Sequence, residues 1–542
     1  MRLTWKVAAF TVFMAAIVTV GLVGATATRG PPGTLRVGSR VLTRCGSGLQ
    51  TWCGSLSVPL DHSVPKSPRI RINYQWDPAT EGAAVGTVVP NEGGPGYPTI
   101  RSVSGYAAMY GSLLEHRNLL AVDLRGTGTS ALLNCPALQD FSGPTGGARF
   151  QSVLASCAAA LNHRWWGADG KWIQASGLFT SAAAAEDMAA VIRALRIPKV
   201  DIYGDSYGAY YAQVFAARYP GLVRSVTLDS TSPVMDFDPW YRSGYGGMPQ
   251  DFNNVCSRAV ACAEAARGSS WSRIVSLAKR LRARQVSGVV PGPTGTDESV
   301  TMGVVGLVNL VNDAAQDDQI YKELDASARA LLWDDDPAPL LRLYAQRLAS
   351  DEQYFGIPAD EYSGELYFAV VCLDYPQLFN MSAPESSRRA ELAANEARLP
   401  NGTFSPFTTA EWLAQDEYTE AYTACVSWPS PQRAQPPIAQ HQPFFPRTMP
   451  VLIIGGELDT WTSSLGIPQT MQEIGGQSRF INFINTTHEV GTTGCGAKIV
   501  REFVADPQAL DRINATCANA EPPIHAAGVY PAPVSGVPKV RP

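Results

Sequence analysis

Short apolar runs recur along the chain, separated by stretches with helical periodicity. Residues 86–90, 119–122, 200–203, 225–228, 451–454 and 480–484 are each four or five mostly apolar positions. Strands buried on both faces carry that pattern, so these runs predict a parallel sheet covered by helices. Two earlier segments, 51–60 and 69–76, read as antiparallel strands. In the second, Arg69-Ile-Arg-Ile-Asn-Tyr-Gln-Trp alternates at period two, which predicts one wet face. Residues 181–195 are alanine-rich and open on a serine suited to N-capping, predicting a helix that leads into the 200–203 strand. Strands alternating with helices give an α/β fold with a mostly parallel, doubly wound sheet.

Between Ser230 and about Gln440 the strand pattern disappears. Helical segments at 271–285, 304–315, 317–333 and 339–349 dominate, broken by prolines at 291–293 and 429–437. An insertion of this kind between two core strands predicts a helical cap over the site, residues 231–440. The core is then 28–230 followed by 441–517. Residues 518–542, rich in Pro, Val and Ala and without periodicity, are expected to be mobile or draped on the surface. At the other end, Met1–Lys6 is positively charged and Val7–Thr28 uncharged, with Ala25-Thr-Ala27 as a small-residue cleavage site. Residues 1–27 therefore read as a secretory signal; at about 20 apolar residues the run would also span a bilayer as an uncleaved anchor. Either way the rest of the chain is expected outside the cell or on the envelope exterior.

Composition changes this picture little. A chain of 542 residues, 45% hydrophobic and 17% charged, suits one large globular core with an insertion. A formal charge of −5 without a basic patch argues against a nucleic-acid partner. Ten cysteines fit an oxidising compartment. They fall as near neighbours, Cys45 and Cys53, Cys135 and Cys157, Cys256 and Cys262, Cys372 and Cys425, Cys495 and Cys517, so sequential disulfides are expected, although spacing alone does not fix connectivity. No cysteine pair at finger spacing accompanies a histidine pair, and no metal or organic cofactor is implied. Asn380, Asn401, Asn485 and Asn514 fit the glycosylation sequon.

The candidate chemistry centres on Gly204-Asp-Ser206-Tyr-Gly208, set between an apolar run and a helix-compatible one. G-x-S-x-G at a strand-to-helix junction is the nucleophile elbow: the serine is lifted clear of the strand, and the Tyr207 N–H at the helix start faces a developing oxyanion. The serine needs a base and an orienting acid, which in this arrangement follow it as acid and then histidine. Of six histidines, three precede the serine; His525 lies in the proline-rich tail and His441 before a strand, leaving His488, directly after one. Asp459, ending the run that begins at Val451, supplies an acid at the same sheet edge, with Asp229 as a rival at another strand end. Gly93-Gly94-Pro95-Gly96 follows an earlier strand and offers the second oxyanion donor, Gly94.

Taken in order, Gly93-Gly-Pro-Gly96, Asp123-x-Arg-Gly-x-Gly128, Gly204-Asp-Ser-Tyr-Gly208, Gly456-Glu-Leu-Asp459 and His488 resemble the α/β-hydrolase peptidases of the tripeptidyl aminopeptidase and proline iminopeptidase type. Cys372-Leu-Asp374 resembles a motif of the secreted tripeptidyl branch. The likeness spans roughly residues 40 to 517. Asn91-Glu92 stands where proline iminopeptidases carry a histidine, and Thr460-Trp-Thr-Ser follows Asp459 where the tripeptidyl branch usually shows Thr-Pro. The resemblance implies an α/β-hydrolase fold and acyl transfer to Ser206. The substrate is then a peptide with a free N-terminus, whose ammonium group requires a carboxylate; Glu92, Glu365 and Asp374 are the candidates. An esterase or lipid hydrolase with the same triad, and a silent binding protein on the same scaffold, remain as alternatives.

Overall fold

In the computed structural model, residues 33–46, 50–143, 145, 147–292, 295–416 and 422–530 are described. Residues 1–27, expected to be a signal or anchor, and the end of the tail lie outside them. Among the described residues no helix is long and apolar enough to cross a membrane.

Ten strands form one sheet: β1 (Thr34–Val37), β2 (Arg40–Arg44), β3 (Trp52–Pro59), β4 (Arg69–Asp77), β5 (Gly86–Asn91), β6 (Arg117–Val122), β7 (Val200–Asp205), β8 (Val223–Asp229), and, beyond the hairpin β9 (Val286–Pro291) and β10 (Asp297–Met302), β11 (Pro450–Gly456) and β12 (Gln477–Phe483). Their order is β1-β2-β3-β4-β6-β5-β7-β8-β11-β12. Pairing is antiparallel from β1 through β4 to β6 and parallel from β6 to β12. The six apolar runs are the parallel strands, and the alternating segment is β4, whose Ile70, Ile72 and Tyr74 face the core while Arg69 and Arg71 face water.

Strand order reverses at β5: the chain moves from β5 to β6 on one side and returns to β7 on the other. Such a switch point opens a crevice at the carboxyl ends of the strands. The register pairs Asn91 of β5 with Gly204 of β7, so the glycine loop and the nucleophile turn leave the sheet side by side. That register, rather than either motif alone, creates the site.

The helix before β7 runs Ser181–Ala194, capped one residue earlier than the sequence suggests: the Thr180 side chain accepts the Ala183 N–H. Between β8 and β11 the chain is mainly helical, but not wholly so. The β9–β10 hairpin was not expected from the sequence, because its prolines and glycines mask a six-residue ladder of Val286–Pro291 on Asp297–Met302. Buried Glu473 fastens the exit into this insertion by accepting the backbone N–H groups of Val234, Met235 and Asp236 at 2.8, 3.2 and 2.7 Å. The described part of the tail is held rather than loose: Arg329 Nη2 donates to the Ala527 carbonyl at 2.9 Å, and the Ala527 N–H to the Lys322 carbonyl at 2.8 Å.

The ten cysteines pair in chain order, 45–53, 135–157, 256–262, 372–425 and 495–517. The last joins the start of the helix Gly494–Ala505, just beyond His488, to the chain end of the core. A bridge of this size contributes about 2–4 kcal/mol. Asn485 is buried and donates from Nδ2 to the Glu521 carbonyl at 2.8 Å, a geometry closed to glycosylation, whereas Asn380, Asn401 and Asn514 are exposed.

Candidate active site

Ser206 sits between β7 and the helix Tyr207–Arg218 with φ 53° and ψ −124°, a conformation strained for any residue with a side chain. The flanking glycines make the turn sterically accessible. A Cβ at Gly204 would lie 1.9 Å from the Gly208 carbonyl oxygen, and one at Gly208 would lie 2.1 Å from that of Asn91. On the other side of the serine, the closest approach of the glycine loop is Gly93, where a Cβ would stand 2.8 Å from Ser206 Cβ. The N–H groups of Gly94 and Tyr207 remain the oxyanion candidates.

His488 Nε2 lies 2.9 Å from Ser206 Oγ, and His488 Nδ1 lies 2.6 Å from Asp459 Oδ2. Asp459 is buried, which pushes its pKa up; the neighbouring His488 charge and hydrogen bonds from His488 and Thr462 more than offset this and hold it below the usual carboxylate range. Its Oδ1 accepts the N–H groups of Trp461 and Thr462, both at 3.0 Å, and its Oδ2 accepts the Thr462 hydroxyl at 2.5 Å. The carboxylate is thus ionised, immobile and aimed at the imidazole.

The rival acid has another task. Asp229 Oδ1 accepts the Val490 N–H at 3.0 Å, while Oδ2 accepts the Gly491 N–H and the Tyr203 hydroxyl, both at 2.7 Å. It therefore holds the loop carrying the base from behind. Burial, only partly opposed by those hydrogen bonds, raises its pKa.

Of the three carboxylates proposed for ammonium recognition, the structure brings only Glu92 to the cavity beside the nucleophile turn. That cavity is lined by Glu92, Gly93, Tyr97, Phe179, Tyr207 and Leu366, among others. The Tyr106 hydroxyl is 2.9 Å from Glu92 Oε2 and 3.0 Å from Asp205 Oδ2, so the two acids meet around one hydroxyl. Glu365 and Asp374 do not line the cavity. Glu365 is buried in the first turn of the helix Gly364–Asp374, and burial pushes its pKa up to about 7. Asp374 Oδ2 accepts the Ser181 N–H at 2.6 Å, and its carbonyl accepts the Tyr210 hydroxyl at 3.0 Å. Burial likewise raises its pKa to about 7. Asp374 fastens the insertion to the helices flanking β7, its carboxylate facing the N-terminal end of the helix Ser181–Ala194. Arg125 is structural too: it is buried, paired with Asp187 through Nε at 2.7 Å and Nη2 at 2.8 Å, and forms part of the cavity wall.

Two acids near the reacting atoms escaped the sequence reading. Asp205 precedes the serine, and Glu489 follows the base, with Glu489 Oε1 3.9 Å from His488 Nε2. Their adjacency in sequence to Ser206 and His488 was the available signal.

Residues 86–355 match the family model of the alpha/beta hydrolase fold, and residues 411–517 match that of TAP-like proteins. Tripeptidyl aminopeptidases of Streptomyces lividans and Streptomyces coelicolor are each 25% identical to this chain over 199 residues, which is 35% of this chain. The match spans 37% of the length of each relative. Among solved structures, proline iminopeptidase of Mycobacterium smegmatis matches over 86% of this chain and 98% of its own, at 16% identity and a TM-score of 0.31.

Proposed function

Since this chain belongs to the alpha/beta hydrolase fold family, with a TAP-like region toward its C-terminal end, we propose that it is an exported serine exopeptidase releasing tripeptides, dipeptides or single residues from peptide N-termini. The observation that carries the reading is the relay from Asp459 through His488 to Ser206, at 2.6 and 2.9 Å. His488 takes the Ser206 proton as Oγ attacks the scissile carbonyl, and the N–H groups of Tyr207 and Gly94 receive the oxyanion. The same proton then goes to the departing amine. Water, deprotonated by His488, attacks the acyl-enzyme and frees the peptide acid.

Glu92 is the group suited to a substrate ammonium. It is half-buried at the cavity, with Asp205 bonded to the same tyrosine hydroxyl, so two acidic groups cluster beside the place a free N-terminus would take. Five disulfides suit a protein exposed to oxidising surroundings. The apolar lining from Leu124, Phe179, Ala184, Leu366 and Val370 supports a second reading, an ester hydrolase using the same relay.

The test compares wild type with Ser206→Ala on aminoacyl, dipeptidyl and tripeptidyl chromogenic amides, with free and acetylated N-termini, beside short and long acyl esters. Cleavage restricted to free-amine peptides, and reduced on the order of 10⁶-fold in Ser206→Ala, is expected. Ester turnover without amide cleavage would replace the peptidase reading with the second one. A wild-type protein inert to every substrate and to a fluorophosphonate would leave a silent scaffold.

A further inference from the structure

Trp461 follows the catalytic acid by two positions, in the stretch where the sequence departs from the pattern it otherwise resembles. Its indole meets the His488 ring edge-on, with centroids 5.6 Å apart and planes at 62°. The Nε1–H of the same indole donates to the Asn312 carbonyl at 3.0 Å, at the end of the insertion helix Val304–Asp313. Two further bonds run from the residues that follow, Ala315 in the connection and Tyr321 in the next helix, Asp318–Asp334, to the acid–base side of the relay. The His488 N–H donates to the Ala315 carbonyl at 2.8 Å, and the Tyr321 hydroxyl to the Leu458 carbonyl at 3.1 Å. Residues 312–321 therefore grip Leu458, Trp461 and His488 together, from outside the sheet that presents them.

We infer that Trp461 is a positioning residue that makes alignment of His488 conditional on the seating of the cap. The inference rests on the serine-hydrolase reading of the same site. Its physical basis is the geometry of the imidazole. The Cβ tether and the bonds at Nδ1 and Nε2 hold the ring only as firmly as Asp459 and Ser206 are themselves held; the edge contact of Trp461 backs the ring from the side. The indole is in turn held at its far end by a carbonyl of the cap. Lifting residues 312–321 would break the cap's bonds to the indole, the His488 backbone N–H and the acid loop at once. This cap is then no free lid: substrate enters with residues 312–321 seated.

Trp461→Phe keeps a ring against His488 and removes the N–H donor; Trp461→Ala removes both. The expected result is a fall in kcat of about tenfold for Trp461→Phe and about a hundredfold for Trp461→Ala, with KM unchanged, because one hydrogen bond and then the ring contact are lost from the base and not from the substrate. Fluorophosphonate labelling of Ser206 should slow in parallel. The low-field proton resonance of the His488–Asp459 hydrogen bond should move or broaden in both variants, a change that a space-filling role would not produce. Thermal unfolding measured alongside corrects each rate for the folded fraction, and Trp461→Phe, near in volume, guards against simple loss of fold. Rates within twofold of wild type, a change confined to KM, or an unmoved resonance would overturn the inference. A wild type inert to the fluorophosphonate would strike the serine reading itself, whereas a reactive wild type with unaffected variants strikes only the role of Trp461.

Discussion

Replacing one oxygen of the proposed catalytic acid by nitrogen, Asp459→Asn, tests the proposed relay without removing any heavy atom from its packing. The hydrogen bonds dictate how the new amide must sit. Oδ1 accepts two backbone N–H groups, from Trp461 and Thr462, and neither donor can turn away. The amide oxygen therefore takes that position, since an NH₂ there would oppose two donors at a cost of about 1–3 kcal/mol each. The NH₂ is left facing His488 Nδ1 and the Thr462 hydroxyl, where the carboxylate oxygen now stands 2.6 and 2.5 Å away. Thr462 can rotate to accept. His488 can accept only by moving its proton to Nε2, the nitrogen 2.9 Å from Ser206 Oγ. It then presents a proton to the serine instead of a lone pair. The fold survives and the base does not, so kcat/KM is expected to fall by ~10⁴, or about 5.4 kcal/mol of transition-state stabilisation. The assay is kcat/KM on the best-cleaved chromogenic amide, with fluorophosphonate labelling and thermal unfolding in parallel. A variant within tenfold of wild type would refute the argument. So would Asp229→Asn producing the larger catalytic loss, because Asp229 bonds to Val490, Gly491 and Tyr203 and should act through the stability of the loop.

Two further outcomes follow from burial and close approach. Gly204→Ala would place a methyl group 1.9 Å from the Gly208 carbonyl oxygen, backbone on backbone with no flexible side chain to yield; folding yield should collapse, or stability fall by more than about 3 kcal/mol. Glu365 and Asp374 carry pKa values pushed by burial up to about 7, above the ordinary carboxylate range. The folded state then binds more protons than the unfolded state between about pH 4 and 7, so stability present at pH 4 is lost as pH rises through 7. The melting temperature of Ser206→Ala should accordingly fall from pH 5 to pH 8, and adding Glu365→Gln should flatten that slope; an unchanged slope would show that Glu365 is not protonated in the fold.

Much of the site was legible before any coordinates, and the reason differs from residue to residue. Gly204, Ser206 and Gly208 announce themselves because an elbow is a local device, built within five residues from steric limits that sequence states directly. The buried parallel strands are equally plain, since apolar runs of four or five residues have few other uses. The β9–β10 hairpin was not legible: it pairs Val289 with Ser299 across a turn rich in glycine and proline, without clean alternation. The Thr180 cap was missed by one residue because Thr and Ser are both competent caps, and only the backbone turn chooses between them.

For this protein the sequence by itself determined the elbow, the order in which Asp459 and His488 follow Ser206, and the run of neighbouring cysteines, all of which depend on spacing along the chain. Tertiary structure decided what depends on distance across it. Asp459 and Asp229 both end strands, and only the register of β8 beside β11 shows one reaching the imidazole and the other the loop behind it. Glu92, Glu365 and Asp374 are equivalent as letters; the crevice at the reversal of strand order admits the first, while the helix Gly364–Asp374 draws the other two into its own packing. The grip of residues 312–321 on Trp461 and His488 joins segments about 150 residues apart, and nothing in either segment alone specifies the other. Short-range chemistry is written in the residues that carry it, whereas long-range contact is an outcome of how the sheet and cap close around one another.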